Sequence, residues 1–250
     1  MRELRDLPLT TFVVDDARAA ARAVAGEIAA LVAADPEVAL GLATGHTPIE
    51  TYAQLVELHR EGLDFSRART FNLDEYDGLP GDHVASFRAF MRRHLFLPAG
   101  FDLERTHFPD RRAPGEDPDL AAARFEGAIA AAGGVELQLL GLGGNGHVAF
   151  NEPGSTRDSR TRLVELAPLT RRVNSVDFPD PAEIPSHAMT MGIGTILEAR
   201  RLRVLAFGAH KAEIVARVLN EDVSPALPAS FLRGHPDVEL WLDEDAAGRL

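Results

Sequence analysis

His147 and Glu152 stand five residues apart, directly after the glycine-rich run Gly141-Leu142-Gly143-Gly144-Asn145-Gly146. A histidine near a carboxylate, on a loop whose glycines let the backbone approach a ligand, is a candidate acid–base pair, because imidazole titrates near neutrality. Asp74, within Phe71-Asn72-Leu73-Asp74-Glu75-Tyr76, is a second candidate. A carboxylate at a strand end is either a turn cap or, in a semi-buried cleft that raises its proton affinity, a general base. The residues alone leave both readings open.

Two further turns have the character of anion sites. Thr44-Gly45-His46-Thr47 precedes a helix start in which Thr47 and Glu50 have capping-box spacing and Pro48 takes the first helical position. Free N–H groups and the helix dipole there favour phosphate. Gly208-Ala209-His210-Lys211 is the second turn. Lys211 falls in the first turn of its helix, where a cation opposes the dipole unless an anion is bound. It is also the only lysine among 26 basic residues. A single lysine among so many arginines is either chance or a place where a compact ammonium is needed and a guanidinium fork will not do.

These residues need a frame. Apolar strands are expected over 11–14, 38–43, 69–73, 135–140, 202–207 and 238–242. Amphipathic helices alternate with them. One follows Asp15-Asp16 and buries Val24, Ile28, Leu31 and Val32; another spans 84–96 with Val84, Phe87, Met91 and Leu95 on its inner face. A third opens at Asp117-Pro118 and closes at Gly133-Gly134. The pattern implies a single-domain, three-layer α/β/α fold over residues 1–250 with a mostly parallel, Rossmann-like sheet, and a surface loop at 109–118. Such sheets bind ligands at the carboxyl ends of their strands, where all four candidate segments fall.

The glycine run matches the dinucleotide fingerprint G-x-G-x-x-G, and Glu165 stands where a ribose-binding acid belongs. That fingerprint requires a helix to begin within it, whereas this run leads into Asn151-Glu152-Pro153-Gly154. Dinucleotide binding is therefore not expected. The absence of cysteine excludes disulfides, thiolate nucleophiles and zinc–thiolate sites. A net charge of −12 disfavours nucleic acid as a partner, and no apolar run is long enough for a membrane span. The charged start, Met1-Arg2-Glu3-Leu4-Arg5-Asp6, does not read as a signal peptide, so a cytoplasmic protein is expected.

Taken together, the stretches GLATGHTPIETY (41–52), TFNLDEYDGLPGDHVASF (70–87), LGLGGNGHVAFNEPGS (140–155), PSHAMTMGIGT (185–195) and PASFLRGH (228–235) resemble the glucosamine-6-phosphate deaminase (isomerase) family along nearly the whole chain. The resemblance implies an enzyme without metal or organic cofactor that converts glucosamine 6-phosphate and water to fructose 6-phosphate and ammonia. It implies Asp74 as the base moving a proton between C2 and C1, and His147 as the group that opens the pyranose ring. Glu152 and Asn145 would orient His147. Lys211, Gly143 and the Thr44, Gly45, His46, Thr47 turn would hold the sugar phosphate. The resemblance leaves homo-oligomer formation open.

The chain departs from the family pattern at several points. Asn145 stands where many relatives have aspartate. A phosphate-binding arginine that follows an Asn-Ser pair in many relatives is replaced here by Val176, with Arg171 and Arg172 as candidates to compensate. This makes a galactosamine 6-phosphate deaminase, with tagatose 6-phosphate as product, the main alternative. A 6-phosphogluconolactonase shares the glycine loop but not Phe150-Asn151-Glu152-Pro153, and a non-catalytic sugar-phosphate sensor would place a helix-turn-helix before the first strand. In allosteric members a basic–threonine pair follows the arginine that Arg162 matches; Val164 and Glu165 stand there instead. Activation by N-acetylglucosamine 6-phosphate is therefore not expected. Rate curves should be hyperbolic with or without it, and a sigmoidal curve abolished by that compound would overturn the expectation.

Overall fold

A computed structural model of the chain describes residues 1–111, 115–180 and 183–250; the loop expected at 109–118 lies partly outside them. Among the described residues, eight strands form one sheet in the order β1-β2-β11-β10-β7-β3-β4-β6. They are β1 (Arg2–Leu4), β2 (Thr10–Val14), β3 (Ala39–Leu42), β4 (Arg69–Asn72), β6 (Thr106–His107), β7 (Leu137–Gly141), β10 (Leu202–Ala206) and β11 (Val238–Asp243). All neighbours run parallel except the edge pair β1–β2. Strand order reverses between β3 and β7. The chain builds outward through β4 and β6 on one side, and through β10 and β11 on the other. That junction is where doubly wound sheets open a crevice at their strand ends.

The central strands are apolar because both faces are covered: every residue of β3, and Leu137 to Leu140 of β7, is buried. On one face lie α1 (Ala17–Ala34), α2 (Ile49–Arg60) and α3 (Phe87–Met91), packing Val24, Ile28, Tyr52, Leu55 and Met91 into one cluster. On the other lie α4 (Pro118–Ala131), α6 (Ile193–Leu197) and α7 (Ala212–Asn220), which contribute Phe125, Ile129, Ile196, Ile214 and Val218 to a second. Asp16 caps α1 by accepting from Ala19 N–H at 2.7 Å, and Asp117 caps α4 ahead of Pro118. At the opposite end of the sheet from the candidate residues, the buried Arg203 guanidinium pairs with Glu27 (2.7 Å) and Asp237 (2.8 Å). Those partners meet the demand that a buried charge be paired.

Three expectations need correction. Thr47 and Glu50 do not form a capping box: α2 begins at Ile49 after Pro48 with no side-chain cap, and Glu50 turns to Gln54 and Arg18. The expected helix over 84–96 is a five-residue α-helix that runs into one wider π-turn, Arg92–Phe96, and Val84 is exposed ahead of it. Lys211 closes a 3-10 turn, Ala209–Lys211, and stands just before α7 rather than inside it.

A second, antiparallel sheet, β5-β9-β8, has no counterpart in the hydrophobic pattern. Its strands are β5 (Asp74–Tyr76), β8 (Arg162–Glu165) and β9 (His187–Thr190). Backbone bonds tie it to the main sheet through Leu73, whose N–H donates to Leu42 (3.1 Å) and whose carbonyl accepts from Met191 (2.7 Å). The start of α6 then folds against Ser159, which accepts from Gly194 N–H at its carbonyl (2.9 Å) and from Ile193 N–H at its hydroxyl (3.0 Å). Gly192 lies so close that a β-carbon there would sit 2.1 Å from the Ser159 carbonyl oxygen. Because that obstacle is backbone, Gly192→Ala is expected to cost about 1–3 kcal/mol of stability, as overpacking does. Urea unfolding should show a lower midpoint with an unchanged slope; an unchanged midpoint would mean that the segment yields freely.

Candidate active site

A cavity of about 340 Å³ opens at the β3/β7 junction, a size that suits a small phosphorylated ligand. Thr44, Gly45, His46 and Thr47 line it after β3; Asp74 after β4; Gly143 and His147 after β7; and Lys211 after β10. Four segments far apart in sequence thus share one space. Asn145 and Glu152 do not line the cavity but stand behind His147.

The Thr44–Thr47 turn is held from below. Tyr52, fully buried on α2, donates its hydroxyl to the Ala43 carbonyl immediately before the turn. Helix α2 starts after Pro48, which makes no side-chain cap, and Thr47 lines the cavity just ahead of it. Lys211 donates its Nζ to the Leu142 carbonyl at 2.7 Å, and burial lowers its pKa. It meets no carboxylate among the described residues, and it is the only Lys or Arg side chain lining the cavity. Val176 lines the mouth and is 79% exposed, with Asp177 beside it. Arg171 and Arg172 do not reach the cavity; Arg171 bonds the Ile184 carbonyl instead.

Asp74 is 6% exposed, and among the described residues no hydrogen bond reaches its carboxyl. Burial, with the neighbouring Glu75 charge as a second cause, pushes its pKa up to about 8. Glu75 projects to the other side of β5. Its carboxylate accepts from the N–H groups of Tyr76 (2.9 Å), Phe87 (3.0 Å) and Arg88 (2.8 Å) and so fixes the start of α3. Burial raises its pKa and those N–H groups oppose the rise, leaving it at about 7.

The His147 ring lies directly over Gly143, where a β-carbon would sit 2.3 Å from its Nε2. Only glycine leaves room for it. The ring's Nδ1 faces Glu152 Oε2 at 3.6 Å, just beyond hydrogen-bond length. Among the described residues Asn145 makes no hydrogen bond to the imidazole. Its Nδ2 donates to the same Glu152 oxygen at 2.7 Å and its Oδ1 accepts from His147 N–H at 3.1 Å. Burial alone would raise the Glu152 pKa; contacts from His147, Thr170 and Asn145 outweigh it and hold the pKa at about 2. Glu152 is therefore a permanent anion behind the ring.

The loop that carries these groups is stitched to the second sheet. Phe150 N–H donates to Thr190 Oγ1 (3.2 Å), and Asn151 Nδ2 donates to the carbonyls of Val148 (3.0 Å) and Met191 (2.8 Å). Immediately before them Ala149, on the cavity wall, adopts φ +53°, a left-handed conformation that costs a non-glycine residue energy.

Several cavity residues escaped the sequence reading. Phe87 and Phe150 form apolar wall, and their rings stack at 5.9 Å. Helix α5 (Pro168–Asn174) lies along the mouth, with Thr170 bonded to Glu152 and Asn174 Nδ2 donating to the Tyr76 hydroxyl at 3.0 Å. The inverted amphipathicity of α5, with Leu169 and Val173 exposed while Thr170 is buried, was the available signal.

Among the described residues Lys211 is the one lysine or arginine lining the cavity, so an anion bound there would meet a single ammonium. Lys211→Arg places a larger fork against the Leu142 carbonyl and is expected to weaken inorganic phosphate binding several-fold in calorimetric titration. An unchanged affinity would remove Lys211 from the phosphate site.

Comparison with known proteins identifies the family and the fold. The family model for glucosamine-6-phosphate isomerases/6-phosphogluconolactonase matches residues 15–241. A glucosamine-6-phosphate deaminase of Rhodopirellula baltica is 50% identical over 239 residues, covering 95% of this chain and 94% of that protein. One from Shouchella clausii is 46% identical over 213 residues, 85% of each chain. A solved monomeric glucosamine-6-phosphate deaminase superposes with a TM-score of 0.91 at 37% identity, over 96% of this chain and 99% of that one. A 6-phosphogluconolactonase from Trypanosoma brucei reaches 0.72 at 26% identity, over 98% and 100%. The chain therefore belongs to the family of glucosamine-6-phosphate isomerases and 6-phosphogluconolactonases.

Proposed function

We propose that this chain is a glucosamine-6-phosphate deaminase, converting glucosamine 6-phosphate and water to fructose 6-phosphate and ammonia. The observation that carries the reading is the sharing of one cavity by a buried carboxyl, Asp74, and a carboxylate-backed histidine, His147, beside Lys211 and the Thr44–Thr47 turn. A lactone hydrolase needs no base of Asp74's kind, because its reaction moves no carbon-bound proton. The names of the most similar relatives support the same choice.

In this reading the Thr44–Thr47 turn and Lys211 hold the phosphate and so fix the sugar's position. His147 takes the proton from O1 and returns it to the ring oxygen, which opens the pyranose. Asp74 then removes the C2 proton while one proton passes from the substrate ammonium to O1, giving a cis-enolamine. The Asp74 carboxyl returns its proton to C1, leaving an iminium at C2. Water adds there, and ammonium departs as the ketone forms. Each step is proton transfer or hydration within reach of the residues named, and none calls on a cofactor.

The substrate would also supply a charge that the described residues do not. Burial, with the Glu75 charge as second cause, makes Asp74 hold its proton up to about pH 8. An ammonium at C2 next to the carboxyl favours the ionised form and lowers that value in the complex. We further propose that residues 1–250 act as one sugar-phosphate deaminase domain in the cytoplasm, without nucleic acid or membrane as partner. Among the described residues no helix is long and apolar enough to cross a membrane.

The test is ammonia release from glucosamine 6-phosphate and galactosamine 6-phosphate side by side, with lactone hydrolysis as a third arm. Release from the glucosamine substrate at the higher kcat/KM is expected; ammonia from neither sugar would refute the reading. Asp74→Asn should lower turnover by about 10²–10⁴-fold while substrate binding survives. The same variant should unfold at a higher temperature than the parent at pH 8. A carboxyl whose folded pKa lies above its unfolded value near 3.9 loses stability as pH rises from about 4 to 8, and the amide escapes that loss. Retained turnover, or a lower unfolding temperature at pH 8, would contradict the role given to Asp74.

A further inference from the structure

Glu152 offers four lone-pair directions, and its two oxygens are used differently. Oε2 accepts from Asn145 and faces the His147 ring. Oε1 accepts from Thr170 Oγ1, a hydroxyl that comes from α5 and not from the loop that carries the pair. Thr170 is 7% exposed. A helical threonine commonly back-bonds to a carbonyl of its own helix. This one points across to the carboxylate instead.

One turn further along α5, Asn174 donates to the Tyr76 hydroxyl at 3.0 Å. Positions four apart share a helix face, so the polar face of α5 is pinned at two places on the catalytic side. Leu169 stays exposed on the outside.

We infer that Thr170 is a positioning residue for the reaction proposed above: its hydroxyl fixes the Glu152 carboxylate against His147, so that the pair is complete only when α5 is docked across the cavity. The inference rests on that proposed reaction for its kinetic consequences, but not for its geometry.

The physical reason lies in the last torsion of glutamate, which is broad and two-fold. Asn145 holds one oxygen by a single bond and leaves the carboxylate able to turn about it. A second donor on the other oxygen selects one orientation, the one that presents Oε2 to Nδ1 of His147. With Nδ1 facing an anion, the proton of the neutral ring sits on Nδ1, leaving Nε2 as the acceptor over Gly143. A docking contact that merely glued α5 in place would leave this tautomer untouched.

The experiment compares the parent with Thr170→Val, which keeps the shape and removes the hydroxyl, and Thr170→Ser, which keeps the hydroxyl. Thr170→Ala repeats the valine test with a smaller side chain should valine crowd the carboxylate and prevent folding. Two readouts are taken: initial rates with glucosamine 6-phosphate, and the His147 tautomer from long-range ¹H–¹⁵N spectra. Loss of a hydrogen bond to a charged group is expected to lower kcat about 10- to 100-fold in the valine or alanine variant, with KM within about twofold, and serine is expected to restore most of the rate. The Nδ1–H tautomer should dominate in the parent and the serine variant and give way to a mixture without the hydroxyl.

An unchanged kcat in Thr170→Val, a loss that serine does not rescue, or the same tautomer in all variants would overturn the inference. If the parent itself released no ammonia, the proposed reaction would fall, while the tautomer comparison would still decide the role of Thr170.

Discussion

The site depends on one unfavourable placement: a carboxyl group, Asp74, buried at the head of β5 with no cation and no hydrogen-bond donor beside it among the described residues. Water would solvate that group far better than the protein does, and the protein responds by keeping it neutral until the solution is mildly alkaline. Such an arrangement persists only where the surroundings are overdetermined. Leu73, its neighbour, is bonded on both sides, to Leu42 and to Met191, and Glu75 is locked by three N–H groups. The antiparallel sheet β5-β9-β8 is the device that holds the carboxyl where it is least comfortable. In the proposed reaction, such a group is a latent base that a cationic substrate would activate by supplying a positive charge.

Around that point the parallel sheet arranges the remaining functions by topology. Reversal of strand order between β3 and β7 brings the Thr44–Thr47 turn and the His147 loop to one crevice, and β4 and β10 add Asp74 and Lys211 from either side. The two carboxylates of the site end up in opposite states. Asp74 is raised by burial and by the Glu75 charge, whereas Glu152, less deeply buried, is held ionised by its contacts with His147, Thr170 and Asn145. Environments that push two acids apart suit them to different tasks: in the proposed reaction one trades protons while the other orients an imidazole.

Much of this was legible in the sequence because the chemistry sits where the pattern is strongest. Buried parallel strands read as continuous apolar runs, so Val38 to Ala43 and Val135 to Leu140 announced the sheet, and the residues after them announced the cavity. The second sheet did not, since three- and four-residue strands such as Asp74–Tyr76 and Arg162–Glu165 carry too little alternation to stand out. The edge strand Arg2–Leu4 hid behind its charges. Thr47 misled because capping-box spacing describes a helix start in isolation, whereas here Tyr52 anchors the turn from α2 without a side-chain cap. Asn145, expected to help orient His147, does so through two contacts that sequence could not specify: its amide donates to Glu152 and its oxygen accepts from the His147 backbone N–H. Thr170 was silent for a different reason: its partner lies 18 residues away on another element, and only the folded chain brings them together.

The central claim is that Asp74 is an isolated buried acid poised to become a base. The most direct measurement is a titration of its side-chain carboxyl by ¹³C NMR, with Asp74→Asn used to assign the resonance. The account expects a midpoint near 8 in the free protein, moving lower when the cationic substrate or an aminated analogue is bound. A midpoint near 4 in the free protein, unmoved by such a ligand, would mean that Asp74 is an ordinary solvated carboxylate and would contradict the account.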